Sequence, residues 1–414
     1  MPQTVANMAG IVKDAWTSDT LVKQFYNKNP LIERIKTVKA TTIGLQAQTP
    51  IHSIRNGGYT SVGPAGGSLN PAGQQGTAQA LWTLVYHYGQ VSLETAALNQ
   101  TEGASQSVIS ATDLEVQGAI DDVSRQMSRQ IASNGDSLMA QCGVTTASTV
   151  VVLTPAAAGG LGFDAIRRGH IYIGQIVDIG ILADSDSAAT GLTIQDVNED
   201  PVAPTITVSS AVTTSAVHFV SIANPNSATA PNVEMNGLRN IAGSNGTLGG
   251  INPATLGNGF WKPALIDTTT TAVSLDLMLN LQAAVFQKRG DFTGTFFTSA
   301  KQQASVYALL QNQVRFTGKE GLNAGGVQGL EWNGSVLNIL PDVYDKDLFY
   351  VTLDDLTRVV GAWDKPMWSS DIEGAGGQFR WTQGTTSYGE SVVWAWQLGC
   401  QRRNSMAAAV SLLA

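Results

Sequence analysis

Residues 109–140 read ISATDLEVQGAIDDVSRQMSRQIASNGDSLMA, and the spacing of their apolar residues decides the fold. Seven apolar positions recur at intervals of three, four or seven, which places them on one face of an α-helix. They are Ile109, Val116, Ile120, Val123, Met127, Ile131 and Leu138. Charged residues fall largely on the other faces, as a one-sided amphipathic helix requires. They are Asp113, Glu115, Asp121, Asp122, Arg125 and Arg129. We predict one helix, about 48 Å long at ~1.5 Å per residue, with other elements laid along it.

A coiled-coil strand is the alternative interpretation of this stretch. Its apolar repeat does not continue beyond one helix, and Gly118 and Gly135 interrupt it. Because a coiled coil needs several uninterrupted heptads, the single long helix is favoured.

The composition narrows the class of protein. A chain of 414 residues has room for two or three domains. Charged residues make up only 14%, and there are 43 glycines. Few charges and many glycines are typical of a protein whose surface is largely covered by other molecules. They are also typical of a β-rich protein with many loops. The net charge of −8 argues against a protein that coats nucleic acid.

The charge is unevenly distributed. Residues 1–55 contain seven bases and three acids, a local charge of +4, so the remainder carries −12. This basic arm either contacts phosphates or an acidic neighbour, or is simply a solvated face.

Cysteine usage and the chain ends indicate the compartment. Cys142 and Cys400 lie far apart without a pairing pattern, which fits a reducing cytoplasm. The N-terminus has no apolar segment of the secretory type. The apolar tail from Met406 to Ala414 is too short to span a bilayer. We expect a soluble product with no membrane partner.

Residues 41–94 have the pattern of a long β-hairpin. The return limb, residues 77–93, alternates in polarity and carries Trp82, Tyr86 and Tyr88. Residues 56–76 between the limbs contain seven glycines, which predicts a flexible tip. An isolated two-stranded ribbon is marginal in water, so these aromatics must rest on another surface. An arm that reaches onto a neighbour is favoured over a hairpin packed within its own domain.

The rest of the chain predicts an α+β fold. Residues 145–224 contain short β-rich runs divided by loops, which indicates a small barrel or sandwich inserted into the main fold. Helical spacing returns over residues 273–287, with Gly290 ending that helix. An apolar strand over residues 293–298 leads to Ser299, which caps a second helix. Further strands are predicted at residues 335–340, at 348–353 and in two runs within 390–413.

No catalytic, metal-binding or cofactor-binding motif is present in the sequence. The four histidines lie in separate segments without partners at metal-ligand spacing. Two carboxylate groups are more simply explained by a strand-to-strand turn, residues 342–347, and a helix N-terminus, residues 354–355. His87, between two tyrosines on a strand, is predicted to be an interface or half-buried residue.

In their order, the basic arm, hairpin, long helix, β insertion and α/β remainder resemble the major capsid protein of tailed bacteriophages, which has the Hong Kong 97-type fold. Three local motifs carry the resemblance: the loop Gly249-Gly250-Ile251-Asn252-Pro253, the junction Phe296-Phe297-Thr298-Ser299 and the tail from Cys400 to Ala407. The family tail often reads Arg-Pro-x-Ala, and Asn404 departs from it.

The resemblance implies a division of the chain. It comprises an N-terminal arm (1–40), an extended hairpin loop over the adjacent subunit (41–94), a peripheral domain with the spine helix (95–142), an inserted β domain (143–224), a continuation of the peripheral domain (225–290), an axial domain (291–385) and C-terminal strands returning to the core (386–414). The implied interface residues of loop and arm are Arg55, Tyr59, Trp82, Tyr86, His87, Tyr88, Lys23, Lys28, Arg34 and Lys36.

The resemblance also implies the function and partners. Many copies, as hexamers and pentamers, would form an icosahedral virion shell around double-stranded DNA held without sequence specificity. The chain would be made in the host bacterial cytoplasm. A separate scaffold protein and a portal would be its partners, and decoration proteins are an open option. Two alternatives remain: an encapsulin-like nanocompartment shell and, from another class, a β-rich carbohydrate-active enzyme.

Overall fold

One long helix lies between sheets in the computed structural model. The model describes residues 31–32, 34–39, 46–97, 111–155, 161–181, 187–224, 233–267, 271–311, 331–361, 367–368, 380–381 and 386–412. The α-helices described over their whole length are α1 (Ala111–Ala132), α2 (Leu161–Arg167), α3 (Leu238–Ile241), α4 (Leu275–Arg289) and α5 (Ala300–Gln311). None of them is long and apolar enough to cross a membrane.

The described strands form three six-stranded sheets and one two-stranded ribbon. In chain order they are β1 (Lys36–Lys39), β2 (Gln46–Ile54), β3 (Gly76–Thr83), β4 (Val85–Glu94), β5 (Leu138–Gln141), β6 (Thr145–Val152), β7 (Ile176–Gly180), β8 (Ser187–Asn198), β9 (Thr205–Thr214), β10 (Phe219–Ile222), β11 (Ala264–Asp267), β12 (Thr295–Thr298), β13 (Glu331–Trp332), β14 (Ser335–Ile339), β15 (Leu348–Val351), β16 (Leu356–Val360), β17 (Met367–Trp368), β18 (Arg380–Trp381), β19 (Ser387–Cys400) and β20 (Ala407–Val410).

Helix α1 is shorter than its apolar spacing predicts. It ends at Ala132, where the Ser133 amide donates to the Gln130 carbonyl at 3.0 Å. Gly135 then adopts a positive φ of 75°, which turns the chain away from the helix axis. Leu138, which continues the helical spacing, lies on β5, and Ile109 lies outside the described residues. The described part of the helix, Ala111–Ala132, therefore spans about 33 Å at ~1.5 Å per residue.

The prediction of a one-sided helix is wrong for its C-terminal half. Arg129 is only 2% exposed and Gln130 only 4%. On one side β4 approaches closely, since a side-chain carbon at Gly89 would lie 2.8 Å from Val123. On the other side Nη2 of Arg125 donates to the Arg168 carbonyl at 3.0 Å. Because protein covers both sides of α1, polar positions are buried as well as apolar ones.

The first sheet is built around β19. This 14-residue strand pairs antiparallel with β4, from Ser387 opposite Glu94 to Trp396 opposite Val85. It also pairs with β16, β17 and β18, while β1 adds parallel to β16. The return limb that the sequence predicts as one strand is therefore two. β3 pairs with β2 in the ribbon, whereas β4 joins the first sheet.

The second sheet has the order β5-β10-β7-β8-β9-β6. It closes on itself, because Cys142 and Leu153 form a bridge between the ends of β5 and β6. The Gly143 amide donates to the Val152 carbonyl at 2.8 Å, and the Thr154 amide to the Gln141 carbonyl at 3.0 Å. The apolar interior is a core cluster of its own, centred on residues of 139–220. The predicted series of short strands is confirmed.

The third sheet has the order β11-β20-β15-β12-β14-β13. One face joins the central core through Phe297 and Phe349, and the other packs on α4 through Phe296 and Tyr350. The predicted helix boundaries here are confirmed to within two residues. Ser274 caps α4 by accepting from the Leu277 amide at 3.1 Å, and Gly290 ends it with a φ of 88°.

Candidate assembly surfaces

The root of the β2–β3 hairpin is fixed by the Gly249-Gly250 loop. Both glycines have positive φ, and Leu248 and Ile251 exchange two backbone hydrogen bonds of 3.1 Å across them. The Gly249 carbonyl then accepts from the Leu81 amide at 2.9 Å. Glycine is required at such a turn because other residues are strained at positive φ. The loop that resembles the capsid motif therefore holds the arm in place.

Replacing Gly249 by alanine should loosen this root. Its φ of 60° costs an L-residue roughly 1–2 kcal/mol, and the new carbon would lie 3.0 Å from Cβ of Ala80. We expect faster hydrogen exchange at the Leu81 amide in the variant. Gly259→Ala is the matched control, since that glycine has open space around it among the described residues. Equal exchange at Leu81 in both variants would contradict this role of the turn.

Trp82 supplies a second anchor at the root. It is 1% exposed, and its indole Nε1 donates to Oγ1 of Thr49 at 2.8 Å. A side-chain carbon at Gly399 of β19 would lie only 3.0 Å from this ring. The hairpin is therefore seated on the first sheet by an aromatic side chain that packs against bare backbone.

The hairpin tip has hydrogen bonds of its own. Oδ1 of Asn56 accepts from the amides of Gly58 and Gly73, both at 2.8 Å. The Asn70 amide donates to Oγ1 of Thr60, also at 2.8 Å. Tyr59 remains 83% exposed beside them. The described tip is therefore a hydrogen-bonded loop held away from the core.

The interface residues predicted from sequence fall into three groups. Arg55, Tyr59, Tyr86, Tyr88, Arg34 and Lys36 are exposed. Trp82 and His87 are buried within the chain, and Lys23 and Lys28 lie outside the described residues. Arg34 also bonds within the chain, through Nη1 to Oδ1 of Asn338 at 2.9 Å. The exposed group is the part available to a neighbour.

His87 should make stability depend on pH. Burial, with a smaller contribution from the charge of Arg129, lowers the pKa of His87 from 6.5 to about 4. Between these values the folded chain binds fewer protons than the unfolded chain. Stability from this group is therefore complete above about pH 6.5 and is lost as the pH falls toward 4, by on the order of 3 kcal/mol.

Denaturant unfolding of the subunit between pH 7 and 4 measures this loss. His87→Leu should reduce the slope of stability against pH, because Nε2 of His87 has no hydrogen-bond partner among the described residues. His52→Leu, at an exposed position, should leave the slope unchanged. An unaltered slope in His87→Leu would rule out His87 as the source.

A buried charge cluster lies where α1, the second sheet and the third sheet meet. We define it as Arg129, Arg168, His170, Glu234, Asp342 and Asp345. Arg129 pairs with Glu234, whose side chain is fully buried. Arg168 Nη2 lies 2.9 Å from Oδ1 of Asp345, and His170 Nε2 lies 2.9 Å from Oδ1 of Asp342. Each charge thus has a partner from a distant part of the chain.

The cluster has electrostatics typical of a structural junction. Although burial raises it, the charges of Arg168 and Arg167 hold the pKa of Asp345 below its ordinary value. Burial lowers the pKa of His170, while Asp342 opposes that effect. These effects favour a neutral His170 imidazole and an ionised Asp345 carboxylate. The cluster ties the segment before β7 of the second sheet to the β14–β15 turn of the third sheet, and ties α1 to the segment before α3.

The sequence gives no signal for this cluster. Residues 342–347 do form the predicted turn, between β14 and β15. Their partners, Arg167, Arg168 and His170, lie more than 170 positions earlier in the chain. Local spacing shows the carboxylates but cannot show what they contact.

Two other polar groups are also structural. Asp355, in the turn Leu353–Asp355, accepts from Arg289 and from Oγ of Ser405 at 2.6 Å. Arg403 is fully buried and donates to main-chain carbonyls of residues 240–246 at 2.7–3.0 Å. Arg403 thereby ties the tail motif to α3. Within the described ranges, no group of three His, Cys, Asp or Glu side chains could hold a metal ion.

Solved capsid structures match this chain along nearly its whole length. The capsid asymmetric unit of cyanophage A-1(L) aligns with a TM-score of 0.59 at 12% identity, covering 97% of this chain and 98% of that one. The capsid of a native GTA particle aligns with a TM-score of 0.53 at 9% identity, covering 99% of both chains. The chain therefore has the fold of phage capsid proteins, which confirms the predicted resemblance at the level of the fold.

The other comparisons give a weaker structural match or no match. The holo-SrpI encapsulin complex from Synechococcus elongatus aligns with a TM-score of 0.48 at 7% identity, covering 100% of this chain and 96% of that one. No protein-family model and no curated protein matches the sequence.

Proposed function

We propose that this chain is the major capsid protein of a tailed phage. Copies of it self-assemble, as hexamers and pentamers, into an icosahedral head around packaged double-stranded DNA. One observation carries the proposal: the capsid fold covers 97–99% of the chain, so no large part is left over for another activity. The exposed hairpin, held rigidly at its root, supports it. The role is mechanical rather than enzymatic.

Each unit of the fold has a part in this proposal. The β2–β3 hairpin is the extended loop that lies over the adjacent subunit. Helix α1 and the first sheet form the peripheral domain, the second sheet is the inserted β domain and the third sheet is the axial domain. We draw the axial boundary after β15, because β16, β17 and β18 pair with β19 in the first sheet.

Assembly through many modest contacts gives the shell its stability. Each contact between subunits is weak, but a closed shell repeats it many times, and a subunit held at several sites dissociates slowly. A separate scaffold protein and a portal would direct closure, and DNA would be enclosed without sequence recognition.

Electron microscopy of the purified full-length protein tests the proposal. We expect closed shells of uniform diameter, at physiological ionic strength or after concentration. A protein that remains monomeric at every concentration, with or without co-expressed phage head proteins, would overturn it. The absorbance ratio of purified particles then separates a DNA-filled head from a compartment that encloses protein.

The extended loop cannot start a lysine-dependent cross-link. Residues 41–94 contain no lysine, so an isopeptide bond cannot form from a side-chain amine of this arm. We expect particles boiled in detergent to release single chains on a denaturing gel. A ladder of covalent oligomers that survives reduction would contradict this expectation.

A further inference from the structure

Asparagine followed by glycine occurs six times in this chain, and one of these pairs lies at the hairpin tip. The pairs begin at Asn56, Asn134, Asn236, Asn245, Asn258 and Asn333. Such a pair can lose ammonia, because the bare glycine allows its amide nitrogen to approach the asparagine side chain closely. The hydrogen bonds around each pair therefore decide which asparagine reacts.

The side-chain oxygen of Asn56 is held in place, while the reacting nitrogen beside it is unbound. Oδ1 of Asn56 accepts from the amides of Gly58 and Gly73, both at 2.8 Å. The bond from Gly58 closes an Asx turn, which folds the side-chain carbonyl back over the Gly57 amide. No described residue accepts from the Gly57 amide, and both Asn56 and Gly57 are exposed to water. Nucleophile, target carbon and solvent thus meet at this pair.

In two of the other pairs the attacking nitrogen is already engaged. The Gly135 amide donates to Oγ of Ser133 at 3.1 Å, and the Gly246 amide donates to Oγ of Ser244 at 3.0 Å. Each amide must break this bond before it can attack the asparagine that precedes it.

In the remaining pairs the leaving group or the glycine is restrained. Nδ2 of Asn258 donates to the Asn252 carbonyl at 3.1 Å, and Nδ2 of Asn333 donates to Oε1 of Gln282 at 3.0 Å. These bonds hold the side-chain nitrogen that would have to depart as ammonia. The last pair has a buried glycine, Gly237. The arrangement at the hairpin tip is therefore distinct among the six.

We propose that Asn56 is a site of spontaneous deamidation at the hairpin tip. Hydroxide removes the proton of the Gly57 amide, and the nitrogen then attacks Cγ of Asn56. Negative charge develops on Oδ1, where the amides of Gly58 and Gly73 stabilise it. The bond from Cγ to Nδ2 breaks, and ammonia leaves with a proton from water, which regenerates hydroxide. A second water molecule opens the cyclic imide to aspartate or isoaspartate, so either product adds a carboxylate between the limbs of the hairpin.

Peptide mass spectrometry of the aged full-length protein tests the site. After incubation of the folded chain in mildly alkaline buffer, we expect Asn56 to convert about tenfold or more faster than the other five asparagines. In denaturant the six rates should become similar, because glycine follows each asparagine and the hydrogen bonds are lost. A rate at Asn56 no higher than the others in the folded chain would overturn the proposal. So would the same ranking in denaturant, since flanking sequence would then explain it.

Gly57→Ala tests the attack by this amide. The added carbon meets no described atom within 4 Å, so the tip should keep its fold, but the methyl group hinders the approach of the nitrogen to Cγ. We expect conversion at Asn56 to slow by about tenfold or more. Gly63→Ala, which also meets open space in the same tip, is the matched control and should leave the rate unchanged. An unchanged rate in Gly57→Ala would overturn the mechanism. None of these outcomes depends on shell formation, so the proposed function is tested separately.

Discussion

Shells should be lost when residues 58–72 are deleted, while the subunit stays folded. The deletion joins Gly57 to Gly73, which already face each other, since a carbon at Gly73 would lie 2.8 Å from the Gly57 nitrogen. The removed residues are nearly all exposed and belong to no sheet. We expect the free energy of unfolding to change by less than about 1 kcal/mol. Electron microscopy should show no closed particles.

A substitution series then shows what the tip contributes. Tyr59→Ser with Leu69→Ser keeps the length of the tip but removes side chains that are 83% and 72% exposed. We expect this pair to weaken assembly in part. Val202→Ser removes an equally exposed apolar side chain from the β8–β9 loop and should have no effect. Normal shells from the deletion variant would show that the hairpin is not an assembly arm.

Breaking the buried charge cluster should have the largest effect on folding. Arg129→Met leaves the carboxylate of Glu234 buried, with a side chain 0% exposed and without its counter-charge. Removing one partner of a buried ion pair costs about 3–5 kcal/mol. We expect a loss of this size in the free energy of unfolding, measured with denaturant on the dissociated subunit.

The double variant distinguishes loss of charge from loss of packing. Replacing a buried ion pair by apolar side chains of similar volume is often neutral or stabilising. Arg129→Met with Glu234→Leu should therefore recover most of the stability that Arg129→Met loses. If the double variant is as unstable as Arg129→Met alone, shape at the junction matters more than charge, and our electrostatic explanation is wrong.

The sequence predicted the strands that form the candidate surfaces better than it predicted which of their side chains are buried. Alternation along residues 77–93 located the strands and their aromatic face. It could not show that Trp82 and His87 are covered by the same chain, whereas Tyr86 and Tyr88 stay exposed. Alternation along a strand separates its two faces, but it does not show which molecule covers each face.

By itself, the sequence determined the helix and strand types, the cap at Ser299, the stop at Gly290 and the glycine turn at Gly249. These features depend on contacts within about four residues, so local spacing contains them. Only the tertiary structure decided that Arg129 is buried and that β3 and β4 join different sheets. Those outcomes depend on segments more than a hundred positions apart, such as Arg129 and Glu234. Their interaction exists only after the chain has folded, so no local pattern records it.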